Sequence, residues 1–165
     1  MTCRLATSTG YQTKTKEFSY PDILRLVAIK KRHNTKIMYN EVTRPINKLF
    51  FDIDDSLNLL NFNKCRLEIE KQISLYNNGN FNIQLAYTKS TNENKPHSYH
   101  LVYQVKSPVT LNLQIAKKIN QIFKFDILDE AVYSGSLRLP NCPKYDTKSC
   151  SLVQVYHEMV QGTVE

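Results

Sequence analysis

The stretch from Lys48 to Asp54 constrains the fold of this chain more than any other segment. Leu49, Phe50, Phe51 and Ile53 make a short apolar run that predicts a strand over Lys48 to Asp54, and aspartates stand at positions 52 and 54 where that strand runs out. Residues i and i+2 of a strand leave the same face, so Asp52 and Asp54 would stand side by side. Two like charges so close need a compensating cation, and hard oxygen ligands favour Mg²⁺ or Mn²⁺. The alternative is a polar strand end with Asp as a turn former.

The periodicity on either side predicts the rest of the architecture. A turn at Thr43, Arg44 and Pro45 separates a strand over Lys36 to Val42 from the Asp52 strand. Cys65, Ile69, Ile73 and Tyr76 mark one apolar face of a helix over Asn63 to Tyr76, which Asn77, Asn78 and Gly79 stop. Phe81 to Thr88 alternates as a strand, the polar stretch Lys89 to Pro96 reads as a loop, and Ser98 to Val105 returns as the second arm of a hairpin. Leu111, Ile115, Ile119, Ile122 and Phe123 mark another helix, followed by short segments over Ile127 to Tyr133 and Ser136 to Leu139 and a final strand over Leu152 to Tyr156. The order β-α-β-β-α-β is that of an α+β, ferredoxin-like or RNA-recognition-motif-like sheet with two helices on one face. Ahead of it, Met1 to Ser19 reads as an irregular or partly strand-like lead-in, and a helix capped by Ser19 runs from Tyr20 to about Arg32. A single domain over 1–165 is expected, with a small α/β lobe over 1–45 beside a module over 46–160.

A formal net charge of +7 suggests a polyanionic partner such as nucleic acid or nucleotide phosphate. Cys3, Cys65, Cys142 and Cys150 are scattered without a C-x-x-C pair, which supports neither a disulfide framework nor a tetrahedral zinc site; an irregular knuckle of Cys142, Cys150 and His157 is the alternative to reduced thiols. No apolar stretch is long enough for a membrane span and the amino terminus has no signal-peptide core, so an intracellular protein without membrane contact is expected.

Polar residues that a core would not need recur in later segments. Ser98 and His100 share one face of their strand, a hydroxyl and an imidazole able to bind phosphate. Asp129 can supply a third carboxylate, with Asp126 and Glu130 as rivals. Arg138 lies between Leu137 and Leu139, as though a strand presents one guanidinium to an interior face, where it could grip phosphate oxygens in a fork; Lys144 adds a point charge.

In that order, Lys48-Leu-Phe-Phe-Asp-Ile-Asp54, Ser98-Tyr-His-Leu-Val-Tyr103, and Asp129-Glu-Ala-Val-Tyr-Ser134 with Leu137-Arg-Leu139 resemble the three motifs of the archaeo-eukaryotic primase superfamily. The likeness is greatest to the PrimPol branch and to the amino-terminal primase domain of poxvirus-type and other large DNA virus primase-helicases. It implies DNA primase or primase-polymerase activity: primers made or extended on a single-stranded DNA template from nucleoside triphosphates by two-metal nucleotidyl transfer. It implies Asp52, Asp54 and Asp129 as catalytic ligands of Mg²⁺ or Mn²⁺, and Ser98, His100, Arg138 and Lys144 as nucleotide-binding residues. It further implies a replicative helicase in cis or trans, and a viral replication site in the cytoplasm or nucleus. The segment between Tyr133 and Arg138 is shorter than in several relatives and carries one arginine where PrimPol-type enzymes carry more. Template contact is expected from Lys30, Lys31, Arg32, Lys36, Arg44 and Lys95, with Tyr39 or Tyr99 as stacking platforms. The rival readings are a non-catalytic module that binds single-stranded nucleic acid, which would have no use for three acids, and a metal-dependent nuclease.

Overall fold

The computed structural model describes residues 2–8, 13–19, 38–42, 48–76, 85–103, 105, 107–140, 142–146, 148, 151–153 and 155–161. The helix expected over Tyr20 to Arg32 lies outside the described residues, as do Arg44 and Cys150. In chain order the strands are β1 (Thr2–Ser8), β2 (Thr13–Ser19), β3 (Met38–Val42) and β4 (Leu49–Ile53). Helix α1 (Leu59–Tyr76), β5 (Leu85–Ser90), β6 (Tyr99–Tyr103) and helix α2 (Val109–Phe123) follow. A 3-10 turn (Ala131–Ser134) then leads to β7 (Ser136–Arg138), β8 (Lys144–Asp146), β9 (Ser151–Val153) and β10 (His157–Gln161).

The main sheet has the order β10-β5-β6-β4 with every neighbouring pair antiparallel. Strand β6 lies between β4 and β5, and β5 lies between β6 and β10, so each strand–helix–strand unit is split by one strand. The protein is therefore α+β, with two helices and a four-stranded antiparallel sheet compatible with the ferredoxin-like arrangement. Strand alternation sends Phe51 and Ile53 of β4, Tyr99, Leu101 and Tyr103 of β6 to one face, where all are buried. Helix α1 meets them with Phe62, Cys65, Ile69 and Ile73, and α2 with Ile115, Ala116 and Ile119. Phe62 stacks on Tyr99 with ring centroids 3.8 Å apart, and Phe51 meets Tyr103 edge-on at 6.3 Å. Each such fully buried side chain contributes about 2–3 kcal/mol, so this face holds the sheet to its helices.

Several expectations need correction. Helix α1 starts at Leu59, earlier than Asn63, because the Asn58 side chain accepts the Asn61 N–H at 2.8 Å and caps the first turn. Tyr76, expected on its buried face, is exposed. Tyr99 is core, stacked beneath α1, and offers no platform to a base. The lead-in is strand over Thr2–Ser8 and Thr13–Ser19, regular rather than partial, and the two pair antiparallel from Thr2 opposite Ser19 to Ser8 opposite Thr13. The closing strand is not Leu152 to Tyr156: Ser151–Val153 pairs with Lys144–Asp146 in a separate ribbon, and His157–Gln161 completes the main sheet. The small sheet has the order β2-β1-β3-β7, so the lobe expected from 1–45 alone takes its last strand from Ser136–Arg138. Among the described residues no helix is long and apolar enough to cross a membrane.

Candidate functional site

The face of the main sheet turned away from the helices carries the polar side chains. Because Phe51 and Ile53 go to the core, Asp52 goes the other way. In the strand register Asp52 stands opposite His100, and His100 stands opposite Thr88. The Asp52 Oδ1 and His100 Nε2 atoms are 3.6 Å apart, in contact but beyond a good hydrogen bond. On β10, His157 stacks on His100 with ring centroids 3.6 Å apart and planes 14° from parallel. Its Nδ1 is 3.2 Å from the Thr88 hydroxyl. His100, His157 and Thr88 are all buried.

The other candidates arrive from outside the sheet. An isolated bridge joins Ile53 to Leu128, and the Asp129 N–H donates to the Asp52 carbonyl at 2.8 Å, which seats Asp129 beside Asp52. The Asp129 Oδ1 accepts the Ala131 N–H at 2.8 Å, fixing its carboxylate at the start of the 3-10 turn. Strand β7 brings Arg138, whose Nη1 donates to the Val155 carbonyl at 2.7 Å. A hydrogen bond also links the His100 ring to the Arg138 main chain.

Charge explains what these groups do to each other. Burial first, then Asp129 and Asp54, push the Asp52 carboxyl up to about 7, while Arg138 and Lys144 pull it back. Four of the expected charged residues, Asp54, Asp129, Arg138 and Lys144, therefore act on the fifth, Asp52. His100 is held well below the usual imidazole range by burial, by His157 and by Arg138, so its contact with Asp52 is not one between two full charges. Burial and Arg138 carry His157 down to about 3. Burial also lowers Arg138, although a guanidinium with so high an ordinary value stays charged.

Two expected residues are engaged elsewhere. Asp54 lies just past the end of β4 with its carboxylate exposed, and Lys95 of the β5–β6 loop donates to its Oδ2 at 2.8 Å. Lys95, expected to touch template, is thus an acid partner. Ser98 is buried and its hydroxyl donates to the Asp54 main-chain carbonyl, so a phosphate would have to draw that proton away. Among the described residues no three His, Cys, Asp or Glu side chains are set as a ready-made metal cage. Asp52 and Asp129 bring two oxygen acids together, a donor set of the kind a hard divalent cation takes, and burial with the neighbouring acids pushes the half-buried Asp52 carboxyl toward neutrality. Asp54 would join by releasing Lys95, an exposed pair worth little. The rivals for the third place, Asp126 and Glu130, both line an open cavity with Lys117, Lys124 and Phe125, and Glu130 accepts from Asn120 at 3.2 Å.

The sequence alone does not single out His157 as a partner of His100, nor Thr88 and Asn120 as members of the site. Asn120 is buried on α2; its side chain accepts the Leu128 N–H and donates to the Leu128 carbonyl, both at 2.9 Å, and so holds the Asp129 segment. The alternation Ala86, Thr88, Ser90 signals one small, polar face of β5, and that was the available hint for Thr88. No protein-family model matches the sequence, and no curated protein matches it significantly.

Proposed function

We propose that this protein is a primase-type nucleotidyltransferase, joining nucleotides on a single-stranded DNA template. The reading is supported above all by the adjacency of an acidic half, Asp52 with Asp129, and a donor half, the Arg138 guanidinium with His100 beside it, against one face of the main sheet. An acidic half alone would repel phosphate, and a donor half alone would bind it without chemistry. The resemblance of the three motifs supports the same reading. Asp52 and Asp129, with Asp54 once Lys95 lets go, would hold Mg²⁺ or Mn²⁺. Bound there, the ions would supply the charge that stabilises the attacking and leaving oxygens of an in-line displacement at the α-phosphate. Arg138 can clamp phosphate oxygens, and Lys144, whose charge is felt at Asp52, adds a cation. His100 lies beside Arg138 and would donate to the same oxygens once protonated or released from the Arg138 main chain, and Ser98 sits at the mouth of its strand. A 3′-hydroxyl would attack the α-phosphate and lose its proton to solvent as the α–β phosphoanhydride bond breaks and pyrophosphate leaves, so that positioning and charge suffice without a side-chain base.

Incubation with single-stranded DNA, labelled nucleoside triphosphates and Mn²⁺ or Mg²⁺ tests this. Labelled oligonucleotide is expected from the native protein, with Asp52→Ala reducing it by about a hundredfold or more. Template degradation would instead mark a nuclease, and template binding with neither product a single-strand-binding module.

A further inference from the structure

The segment Val155-Tyr156-His157 enters the site although it belongs to none of the three motifs. The Val155 carbonyl accepts from Arg138 at 2.7 Å, and the His157 ring covers His100 at 3.6 Å. Between them Tyr156 is tied to the hairpin loop in both directions. Its N–H donates to the Thr91 hydroxyl at 2.9 Å and its carbonyl accepts the Thr91 N–H at 2.8 Å. Thr88 completes the frame by bonding the His157 ring nitrogen. Three consecutive residues thus hold both His100 and Arg138.

An imidazole turns about two side-chain bonds, and a ring stacked on its face adds to the hold that contacts at its edge have on its plane. His100 has one ring edge at Asp52 and a bond to the Arg138 main chain; His157 closes its open face. Both rings are buried in a polar pocket of the sheet where a loose ring would leave Thr88 without its partner. We infer that His157 is a positioning residue for the incoming nucleotide, fixing the plane of His100 while Val155 fixes Arg138, so that imidazole and guanidinium meet the triphosphate as one rigid unit.

The inference rests on the reading of His100 and Arg138 as triphosphate ligands. Binding of a fluorescent nucleoside triphosphate with Mn²⁺ separates the two. His157→Phe keeps a ring on His100 and is expected to bind within about threefold of the native protein, whereas His157→Asn, which removes the ring, is expected to weaken binding about tenfold. In a labelled-incorporation assay the loss should fall on KM with kcat retained, and Mn²⁺ binding without nucleotide should not change. Native-protein NMR gives a readout independent of variant folding: cross-relaxation between the two imidazoles should persist with nucleotide bound, and the ring signals of His100 and His157 should shift together on titration. Equal nucleotide binding by His157→Asn, or a His157 ring that does not respond while His100 does, would overturn the inference alone. No nucleotide binding by the native protein would overturn the reading beneath it.

Discussion

Asp52 concentrates the electrostatic conflict of the site in one side chain. Its folded value near 7 lies above the ordinary carboxyl value of 3.8, so the folded protein keeps a proton that the unfolded chain has lost. That contribution to stability is complete below about pH 3.8 and is lost as pH rises through 7. Asp52→Asn is therefore expected to be more stable than the native protein at pH 8, by up to a few kcal/mol, and to show no such advantage at pH 4. Urea midpoints at the two pH values check this. Leu57 makes a second residue-scale case. It is exposed, it lies just beyond the aspartates, and its φ of 66° places it in the left-handed region, where an L side chain crowds its own carbonyl. The Asp55 side chain, accepting the Leu57 N–H at 2.9 Å, holds the turn. Leu57→Gly is expected to raise unfolding free energy by about 0.5–1 kcal/mol, and a fall would show that the turn does not impose this conformation.

The site depends on how elements are tied to one another, and two buried asparagines of α2 do the tying at different ends of β4. Asn120 grips Leu128 and so places Asp129; Asn112 donates to the Lys48 carbonyl at 2.7 Å and accepts from Ser107, also at 2.7 Å. Changing Asn120 to Ala takes that partner from the buried Leu128 N–H and carbonyl, changing Asn112 to Ala removes its bonds to Lys48 and Ser107, and each is expected to cost about 2–3 kcal/mol. Only Asn120→Ala is expected to weaken Mn²⁺ binding as well, by about tenfold, and equal Mn²⁺ affinity in the two variants would count against Asp129 as a ligand. These asparagines also mark where sequence reading stops. The β4 run, the faces of α1 and α2 and the hairpin strand of β6 were legible because their apolar residues repeat at the period of the element that buries them. The cross-strand meeting of Asp52 and His100 followed from the same alternation once β4 and β6 paired. Asn112 and Asn120 look like ordinary polar positions of a helix, since what buries them is a main-chain group in another element. His157 was missed for the same reason: its partner Thr88 is far away in sequence, and Leu152 to Tyr156 alternates well enough to pass for the closing strand. Burial of a polar group by a distant partner leaves no local period to read.

At the scale of the molecule, the main sheet separates an apolar face packed on helices from a polar face that gathers charges from β4, β6, β7, β10 and the Asp129 segment. That second face makes stability depend on acid. His157 is held near 3 and His100 well below the ordinary 6.5, so as pH falls below 6.5 the unfolded chain takes up protons that the folded protein refuses. Asp52 acts in the opposite direction over part of that window, but two imidazoles outweigh one carboxyl. Urea midpoints are expected to drop between pH 7 and pH 5, more steeply in Asp52→Asn and less steeply in His157→Phe. A flat profile in the native protein would mean that the two rings are not buried together.

The central claim is that the acidic and donor halves of this face receive one ligand between them. A crystal structure with Mn²⁺ and a non-hydrolysable nucleoside triphosphate tests it most directly, through the anomalous signal of manganese. Manganese is expected on Asp52 and Asp129, with the triphosphate against His100 and Arg138. Manganese away from both aspartates, or a triphosphate seated elsewhere on the protein, would contradict it.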